Sequence, residues 1–233
     1  MNAEDFLTGK TLLFDKPLIW SSFQVVNKVR WLIKKQFNIK KIKVGHAGTL
    51  DPLATGLLLI CTGKSTKTIN ELQGQIKEYT GTITLGATTP SYDLETEIDN
   101  TFKTDHLTEK IILAATEQFT GKIEQYPPVF SALKKEGKRL YEYAREGTPV
   151  KIKPRIVEIT DFEITAINDL NINFRVVSSK GTYIRSLAHD FGKALNSGAH
   201  LSALRRTKIG NFSVDNAIDI VEFEEILKAD KML

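Results

Sequence analysis

A short stretch punctuated by glycines, "GHAGTLDPLATG" at residues 45–56, holds the side chains in this chain that are best suited to chemistry. His46 can act as a general base, and Asp51 can act as an acid, a base or a nucleophile. The stretch contains no second carboxylate and no Ser or Cys nucleophile. The residue types alone therefore leave two structural alternatives open, an Asx turn or helix cap at Asp51 and a structural hydrogen bond at His46.

The sequence before this stretch predicts a rigid support for it. "TLLFDKP" reads as a strand that ends at Pro17, and a helix capped by Ser21 or Ser22 follows, with apolar residues at helical spacing. After the stretch, "LLLIC" at 57–61 is an apolar run typical of a buried strand. We therefore expect Asp51 to lie on a loop held at the mouth of a cleft.

The remaining chain alternates between strand and helix patterns. Strands are predicted at 77–87, 157–164, 171–178 and 211–214, and helices near 66–73 and at 107–121, 138–147, 182–195 and 220–229. Glycines are expected to end two of the helices, at Gly121 and Gly147. Because several strands follow one another without a helix between them, we expect an α+β fold with a mixed, mostly antiparallel central sheet and flanking helices and loops.

Composition excludes several classes of protein. The chain has 233 residues, 41% of them apolar, which suffices for a substantial core. It contains no run of ~18 apolar residues that could span a membrane, and its first ten residues do not resemble a signal peptide. We therefore expect a cytoplasmic protein that does not associate with membranes. With Cys61 as the single cysteine and four scattered histidines, no internal disulfide is available and no metal site is implied.

A phosphate-binding loop can also be set aside. "TGKST" at 62–66 contains the Gly-Lys-Ser of a Walker motif, but that motif needs a glycine five residues before Gly63, where this chain has Leu58. The stretch reads as a turn that carries a lysine.

Positive charge is concentrated in two segments. The net charge is +4, and residues 28–43 carry seven Lys or Arg side chains, Lys28 and Lys43 among them, and no acid. A second group of four lies at residues 134–139. Such segments form either a solvated helix face or a binding surface for an acidic partner such as nucleic acid.

Longer motifs carry a resemblance to a known family. "KVGHAGTLDPLATGLLLI" at 43–60 is similar to the signature of the TruB family of bacterial tRNA pseudouridine-55 synthases. Five further motifs resemble that family in the same order, namely "DKP" at 15–17, "KEYTGTITLG" at 77–86, "YPPVFSALKKEGKRLYEYAREG" at 126–147, "KGTYIRSLAHDFG" at 180–192 and "HLSALRRTKIGNFSV" at 200–214. The resemblance covers nearly the whole chain.

This resemblance implies a fold and an activity. The fold would be that of the pseudouridine synthase catalytic domain, as a single domain over 1–233, with residues 125–150 forming a clamp over RNA. The activity would be isomerisation of uridine to pseudouridine at position 55 in the T loop of tRNA, with the target base flipped into a pocket. No cofactor, metal, guide RNA or obligate protein partner is implied, and the T arm of tRNA would be the binding partner.

The resemblance also implies roles for individual residues. Asp51 would be the catalytic carboxylate and Arg185 would pair with it. Tyr79 would stack on the target base, Tyr183 would lie over its reacting face, and His46 would pack against the RNA at the vacated position. Substrate-binding roles also fall on Lys16 and Leu204, and contacts with the RNA backbone fall on Lys28, Lys43, Lys134 and Lys135.

Two departures from the family pattern stand out. Ile19 occupies a position two residues after "DKP" where the family usually has glycine, so the conformation of that turn is an open question. The chain ends soon after "FSVDNAIDIVEF", and we therefore expect that the usual C-terminal RNA-binding domain is absent. Two other functions also remain open, a non-catalytic RNA chaperone and a synthase that depends on a guide RNA.

Overall fold

The computed structural model describes residues 2–229, which form two compact units. The first unit comprises residues 2–79 and 205–229, and the second comprises residues 80–204. Within the part of the chain that the structure describes, no helix has the length and apolar character needed to cross a membrane.

The described residues form α-helices and β-strands, and several of the strands follow one another directly. The α-helices are α1 (Ala3–Thr8), α2 (Ser22–Phe37), α3 (Ile69–Gly74), α4 (Glu109–Ala115), α5 (Leu140–Arg145), α6 (Ile184–Ala194) and α7 (Ile220–Ala229). The strands are β1 (Thr11–Lys16), β2 (Val44–His46), β3 (Ala54–Thr62), β4 (Lys77–Leu85), β5 (Ala87–Thr88), β6 (Asn100–Thr101), β7 (Gly121–Gln125), β8 (Lys134–Lys135), β9 (Lys138–Arg139), β10 (Arg155–Asn168), β11 (Asn171–Ser178), β12 (Ala199–Ile209) and β13 (Phe212–Ser213). Strands β4 and β12 contribute residues to both units.

In the first unit, the strands lie in the order β1-β3-β12-β4, and β2 also pairs with β3. β1 runs antiparallel to β3, with a register from Thr11 opposite Cys61 to Lys16 opposite Gly56. β3 is buried along almost its whole length, which confirms the prediction made from its continuous apolar run.

Helix α2 forms as its sequence pattern predicts. Ser21 caps it, since its hydroxyl accepts a hydrogen bond from the amide of Gln24 while the Gln24 side chain accepts one from the amide of Ser21. The apolar face of the helix, including Val29 and Ile33, is buried in the core of this unit together with residues of β1, β3 and α7. The helix therefore presents its lysines to solvent.

In the second unit, the strand order is β12-β4-β11-β10-β7. β10 pairs antiparallel with both β11 and β7. Phe191 of α6 packs edge-on against Phe162 and Phe119, with ring centroids 5.4 and 6.0 Å apart. These contacts fix α6, and with it the residues at its start, against the sheet of this unit.

The predicted α+β fold with a mostly antiparallel sheet is confirmed, but several elements differ from expectation, among them α4 and β12. α4 ends at Ala115 rather than at Gly121, because Gly121, at φ +91°, begins β7 and pairs with Ile159. β12 was not predicted at all.

Candidate active site

Asp51 lies on a loop between β2 and β3, where its side chain is partly exposed. The carbonyl oxygen of Asp51 accepts a hydrogen bond from the amide of Ala54, 3.1 Å away, and the neighbouring Leu50 side chain is buried. The loop is therefore anchored on both sides of the carboxylate.

Ser22, the first residue of α2, fixes the backbone immediately before Asp51. Its hydroxyl donates to the Leu50 carbonyl oxygen at 3.0 Å and accepts from the Leu50 amide at 2.8 Å. The side chain is buried, so these bonds are shielded from water. Ser22 thus positions the residue that precedes the carboxylate.

Arg206 of β12 holds the earlier part of the same loop. Its side chain is 1% exposed, yet its Nε donates to the Leu57 carbonyl oxygen at 2.8 Å and its Nη2 donates to the Gly48 carbonyl oxygen at 3.1 Å. A buried guanidinium is tolerated only when its donors are paired. These bonds connect β12 to the chain before Asp51, at Gly48, and after it, at Leu57.

Gly56 allows β12 to approach β3 so closely. It has φ +100°, and a Cβ at this position would lie 2.3 Å from the carbonyl oxygen of Arg206. Only glycine fits both the backbone angle and the contact. This explains the glycine that follows Asp51 by five residues.

Lys16 is the second buried cation near Asp51. Its Nζ donates to the carbonyl oxygens of Pro17 at 2.8 Å and Trp20 at 2.6 Å, and lies 3.4 Å from that of Pro52. Burial lowers the pKa of Lys16 from 10.5 to about 8, while the charge of Asp51 raises it. Lys16 therefore carries a proton at neutral pH and supplies positive potential to the Asp51 carboxylate.

His46 and Tyr79 belong to the same unit as Asp51. Burial lowers the pKa of His46 below its usual value, so the imidazole is neutral at pH 7. Tyr79 lies on β4 with 9% of its surface exposed. A neutral imidazole and a phenol ring both suit stacking on bases.

In the second unit, Tyr183 lies immediately before α6. Both of its backbone groups bond to one side chain, as those of Leu50 do. The buried side chain of Gln125 accepts from the Tyr183 amide at 2.8 Å and donates to its carbonyl oxygen at 3.1 Å. The guanidinium of Arg155 lies over the Tyr183 ring, 5.4 Å from its centroid. The backbone of Tyr183 is thus fixed by one side chain.

Arg185 is 4% exposed and is held by acceptors of its own unit. Its Nη1 donates to the Ser91 carbonyl oxygen at 3.2 Å, and its Nε lies 3.5 Å from a carboxylate oxygen of Asp93. Asp93 is also buried, so this is a buried ion pair. The predicted pairing of Arg185 with Asp51 remains a prediction.

The remaining predicted residues lie at other positions in the two units. Leu204 is half-buried on β12. Lys134 and Lys135 form β8 of a hairpin whose turn residues both have positive φ, and Lys135 donates to the Lys151 carbonyl oxygen at 3.2 Å. Lys43 is exposed, and Lys28 lies on α2 with its ammonium 4.7 Å from the centre of the Trp31 ring.

Sequence reasoning missed three positioning residues, namely Ser22, Gln125 and Arg206. Ser22 was considered only as a helix cap, and Arg206 lies in a run of cations that resembles a surface segment. Their partners are backbone groups, which leave no signal in the sequence. Among residues 2–229, no cluster of His, Cys, Asp or Glu is arranged to bind a metal ion.

The site of the first unit is thus one carboxylate on a fixed loop, with two buried cations nearby and two rings suited to bases. Such a group can act as a nucleophile or base on a bound base or sugar without first being ordered.

Comparisons with known proteins identify the family of this chain. Residues 34–184 match the family model "TruB family pseudouridylate synthase (N terminal domain)", and residues 185–232 match "tRNA pseudouridylate synthase B C-terminal domain". The tRNA pseudouridine synthase B of Flavobacterium johnsoniae is 64% identical over 229 residues, covering 98% of this chain and 100% of the relative. That of Phocaeicola vulgatus is 54% identical over 223 residues, covering 96% of this chain and 95% of the relative.

Solved structures show the same fold. A Cbf5-Nop10-Gar1 complex contains a chain that is 30% identical with a TM-score of 0.73, and the match covers 99% of this chain and 59% of that one. An H/ACA RNP bound to a substrate RNA containing 2'-deoxyuridine gives 28% identity and a TM-score of 0.69, over 97% of this chain and 56% of that one. This chain therefore spans less than two thirds of either. With family models matching residues 34–232 and relatives more than half identical over nearly its full length, the chain belongs to the TruB family of pseudouridylate synthases.

Proposed function

We propose that this chain converts uridine to pseudouridine at position 55 in the T loop of tRNA, and that it does so without a guide RNA. The observation that carries the proposal is the rigid placement of Asp51 in the loop between β2 and β3. Family membership supports it, since relatives 64% and 54% identical bear the name tRNA pseudouridine synthase B.

The reaction is an isomerisation. The bond between N1 of uracil and C1′ of ribose breaks, the base turns, and a bond from C5 to C1′ forms. C5 loses a proton and N1 gains one, so atoms and electrons balance without another reactant. Asp51 would serve as the carboxylate that attacks the sugar or the base, or that assists an elimination.

Asp51 needs to stay ionised in a pocket that the RNA closes off from water. A lone buried carboxylate is costly, and nearby cations offset that cost. Lys16 is protonated at neutral pH and Arg206 is permanently charged, and both act on the electrostatics of this loop. We assign Arg185 as a further partner of Asp51 in the reacting complex.

Recognition of the flipped base would fall on the aromatic side chains. Tyr79 would stack on the uracil, and Tyr183 would cover the reacting face. His46 would fill the space that the base leaves. Stacking of this kind contributes about 1–3 kcal/mol per base, which offsets the cost of extruding it. Lys16 and Leu204 would also contact the substrate.

Contacts with the RNA backbone would come from exposed lysines. Residues 125–150, with Lys134 and Lys135 on their hairpin, would clamp the T arm, and Lys28 and Lys43 would contact phosphates. We further propose that the protein acts in the cytoplasm without an obligate protein partner.

Incubation of unmodified tRNA with the purified protein alone tests the function. We expect pseudouridine at position 55, detected by nucleoside analysis and by mapping of the modified position. A T-arm stem-loop should be nearly as good a substrate as full tRNA. RNA binding without product would favour an RNA chaperone. Product that appears only when a guide RNA is added would favour the guided synthase, the alternative that the similarity to H/ACA components raises.

A further inference from the structure

Ile19 has an unusual backbone conformation. Its φ is +72°, in the left-handed region that glycine favours and that L-residues with a branched Cβ avoid. This is also the position where the family resemblance led us to expect glycine. The structure therefore answers the question about this turn, since isoleucine adopts the conformation suited to glycine.

The surroundings hold this conformation in place. The Ile19 amide donates to the carbonyl oxygen of Pro52, the residue after Asp51, at 2.8 Å. On either side of Ile19, the buried ammonium of Lys16 binds the carbonyl oxygens of Pro17 and Trp20. The turn and the Asp51 loop are thus joined. Strain of this kind persists only where neighbouring contacts impose it, and it is concentrated at functional sites.

The side chain of Ile19 gains little from folding. It is 72% exposed, and two apolar residues close to it in the chain, Leu18 and Phe23, are 54% and 63% exposed. We call these three residues the apolar rim. Glycine at position 19 would relieve the backbone strain, and little burial of the Ile19 side chain would be lost, so folding stability gives no reason for isoleucine here. An exposed apolar cluster on a strained turn is better explained by contact with another molecule.

We propose that the apolar rim packs against the bases that flank the target uridine and helps to hold their stack open, while His46 occupies the vacated position. The inference rests on the proposed function. The Ile19 amide is bonded to the loop of Asp51, where the extruded base would react. Residues 28–43, in α2 and the segment after it, carry seven Lys or Arg side chains and no acid. Proteins that unstack nucleic acid use apolar side chains in this way, beside cations that bind phosphates.

The experiment compares rim variants in the Asp51→Asn protein, which separates binding from chemistry. Ile19→Gly removes the side chain and relieves the backbone, Ile19→Asn keeps a side chain that tolerates positive φ, and Leu18→Ala leaves the turn intact. Val221→Asn on α7 is the matched control, because Val221 is also an exposed apolar residue of the first unit, at 65%. The probe is a T-arm stem-loop with 2-aminopurine beside the target uridine, whose fluorescence rises when its stack opens.

We expect Ile19→Gly to raise the Tm by about 2–4 °C and to weaken RNA binding about tenfold, the effect expected for one apolar side chain. The rise in 2-aminopurine fluorescence should shrink in all three rim variants and stay unchanged in Val221→Asn. An increase in Tm with unaltered affinity and fluorescence would overturn the proposal, because the strain would then have no role in binding. Loss of self-association in place of RNA binding, seen by sedimentation, would also overturn it. Failure of the proposed function would show instead as absence of pseudouridine with the wild-type protein.

Discussion

One hydroxyl of Ser22 pairs with both backbone groups of Leu50, at 3.0 Å to the carbonyl oxygen and 2.8 Å from the amide. Because Leu50 precedes Asp51, this side chain sets the direction in which the chain reaches the proposed catalytic carboxylate.

Ser22→Ala should therefore damage both stability and turnover. Leaving buried backbone groups unpaired costs about 1–3 kcal/mol of unfolding free energy. A small displacement of a catalytic group can reduce the rate by about a hundredfold, so we expect kcat to fall at least tenfold. Denaturant unfolding and single-turnover kinetics measure the two effects.

Ser21→Ala is the matched control for this prediction. Ser21 caps α2 through its bonds with Gln24, whereas Ser22 bonds to Leu50. Loss of a cap costs about 1 kcal/mol. Its kcat should stay near the wild-type value. Equal losses of kcat in the two variants would show that Ser22 acts only through the stability of α2.

Asp51→Asn should keep RNA affinity near normal and abolish detectable isomerisation. The amide preserves the shape of the side chain and lacks the anion that the chemistry needs. Affinity and pseudouridine yield should be measured on one preparation. Substantial turnover by this variant would refute the assignment of Asp51.

The pKa of Lys16 predicts a dependence of stability on pH. Its value in the folded chain is about 8, against 10.5 for an ordinary lysine, so between these two pH values the unfolded chain binds the extra proton. The contribution of this group to unfolding free energy should then rise with pH, by about 1.4 kcal/mol per pH unit within the window.

NMR titration of ¹⁵N-labelled lysine side chains measures this directly, and we expect the Lys16 ammonium to titrate near pH 8. The difference in unfolding free energy between wild type and Lys16→Met, followed from pH 7 to 10, gives the linked effect. A titration midpoint of Lys16 above pH 10 would contradict the lowering of its pKa by burial.

Replacement of Lys134 and Lys135 by Ala should weaken RNA binding and reduce its salt dependence. Removing one phosphate-binding charge should change the log–log slope by about 0.7–0.9. Lys134 is exposed and should account for more of the change than Lys135, whose ammonium is bonded to the Lys151 carbonyl oxygen. Lys110→Ala, an exposed lysine on α4, is the control. An unchanged slope in the double variant would mean that the hairpin lysines are only solvated.

Arg185→Lys should lower turnover by about tenfold or more. The Arg185 guanidinium donates to the Ser91 carbonyl oxygen and lies beside Asp93, and it is proposed to pair with Asp51. A lysine ammonium cannot reproduce this planar fork, and hydrogen bonds to charged groups contribute about 1.5–3 kcal/mol. Arg175→Lys is the control, since Arg175 forms an ion pair with Glu163 at the surface. Turnover of Arg185→Lys close to that of wild type would argue against a role for Arg185 in holding a catalytic carboxylate.

Elements with a distinctive pattern in their own sequence were predicted correctly. α2 was predicted because its apolar residues recur at helical spacing after a capping serine, and β3 because its apolar run is continuous. Asp51 and His46 were proposed as site residues from one motif, and their roles stay a prediction. In these cases the information lies within about 15 residues of sequence.

Elements specified by distant partners were missed. β12 contains Arg206, whose burial depends on carbonyl oxygens at Gly48 and Leu57, about 150 residues earlier in the chain. The end of α4 was wrong because Gly121 pairs with Ile159 in a strand that its own neighbourhood does not indicate. The role of Ser22 was likewise not predicted, because it bonds to backbone groups, which are the same whatever the residue type.

The bonds that fix the Asp51 loop also bear on the entropy of RNA binding. Ordering one residue of a flexible loop costs about 1–2 kcal/mol, and a flexible Asp51 loop would add that cost for each of its residues when RNA binds. Here Ser22, Arg206 and the Ile19 amide meet the loop's backbone groups in the free protein. The unfavourable entropy of association should therefore come from the RNA, whose base has to leave its stack, while this loop stays as ordered as it was before.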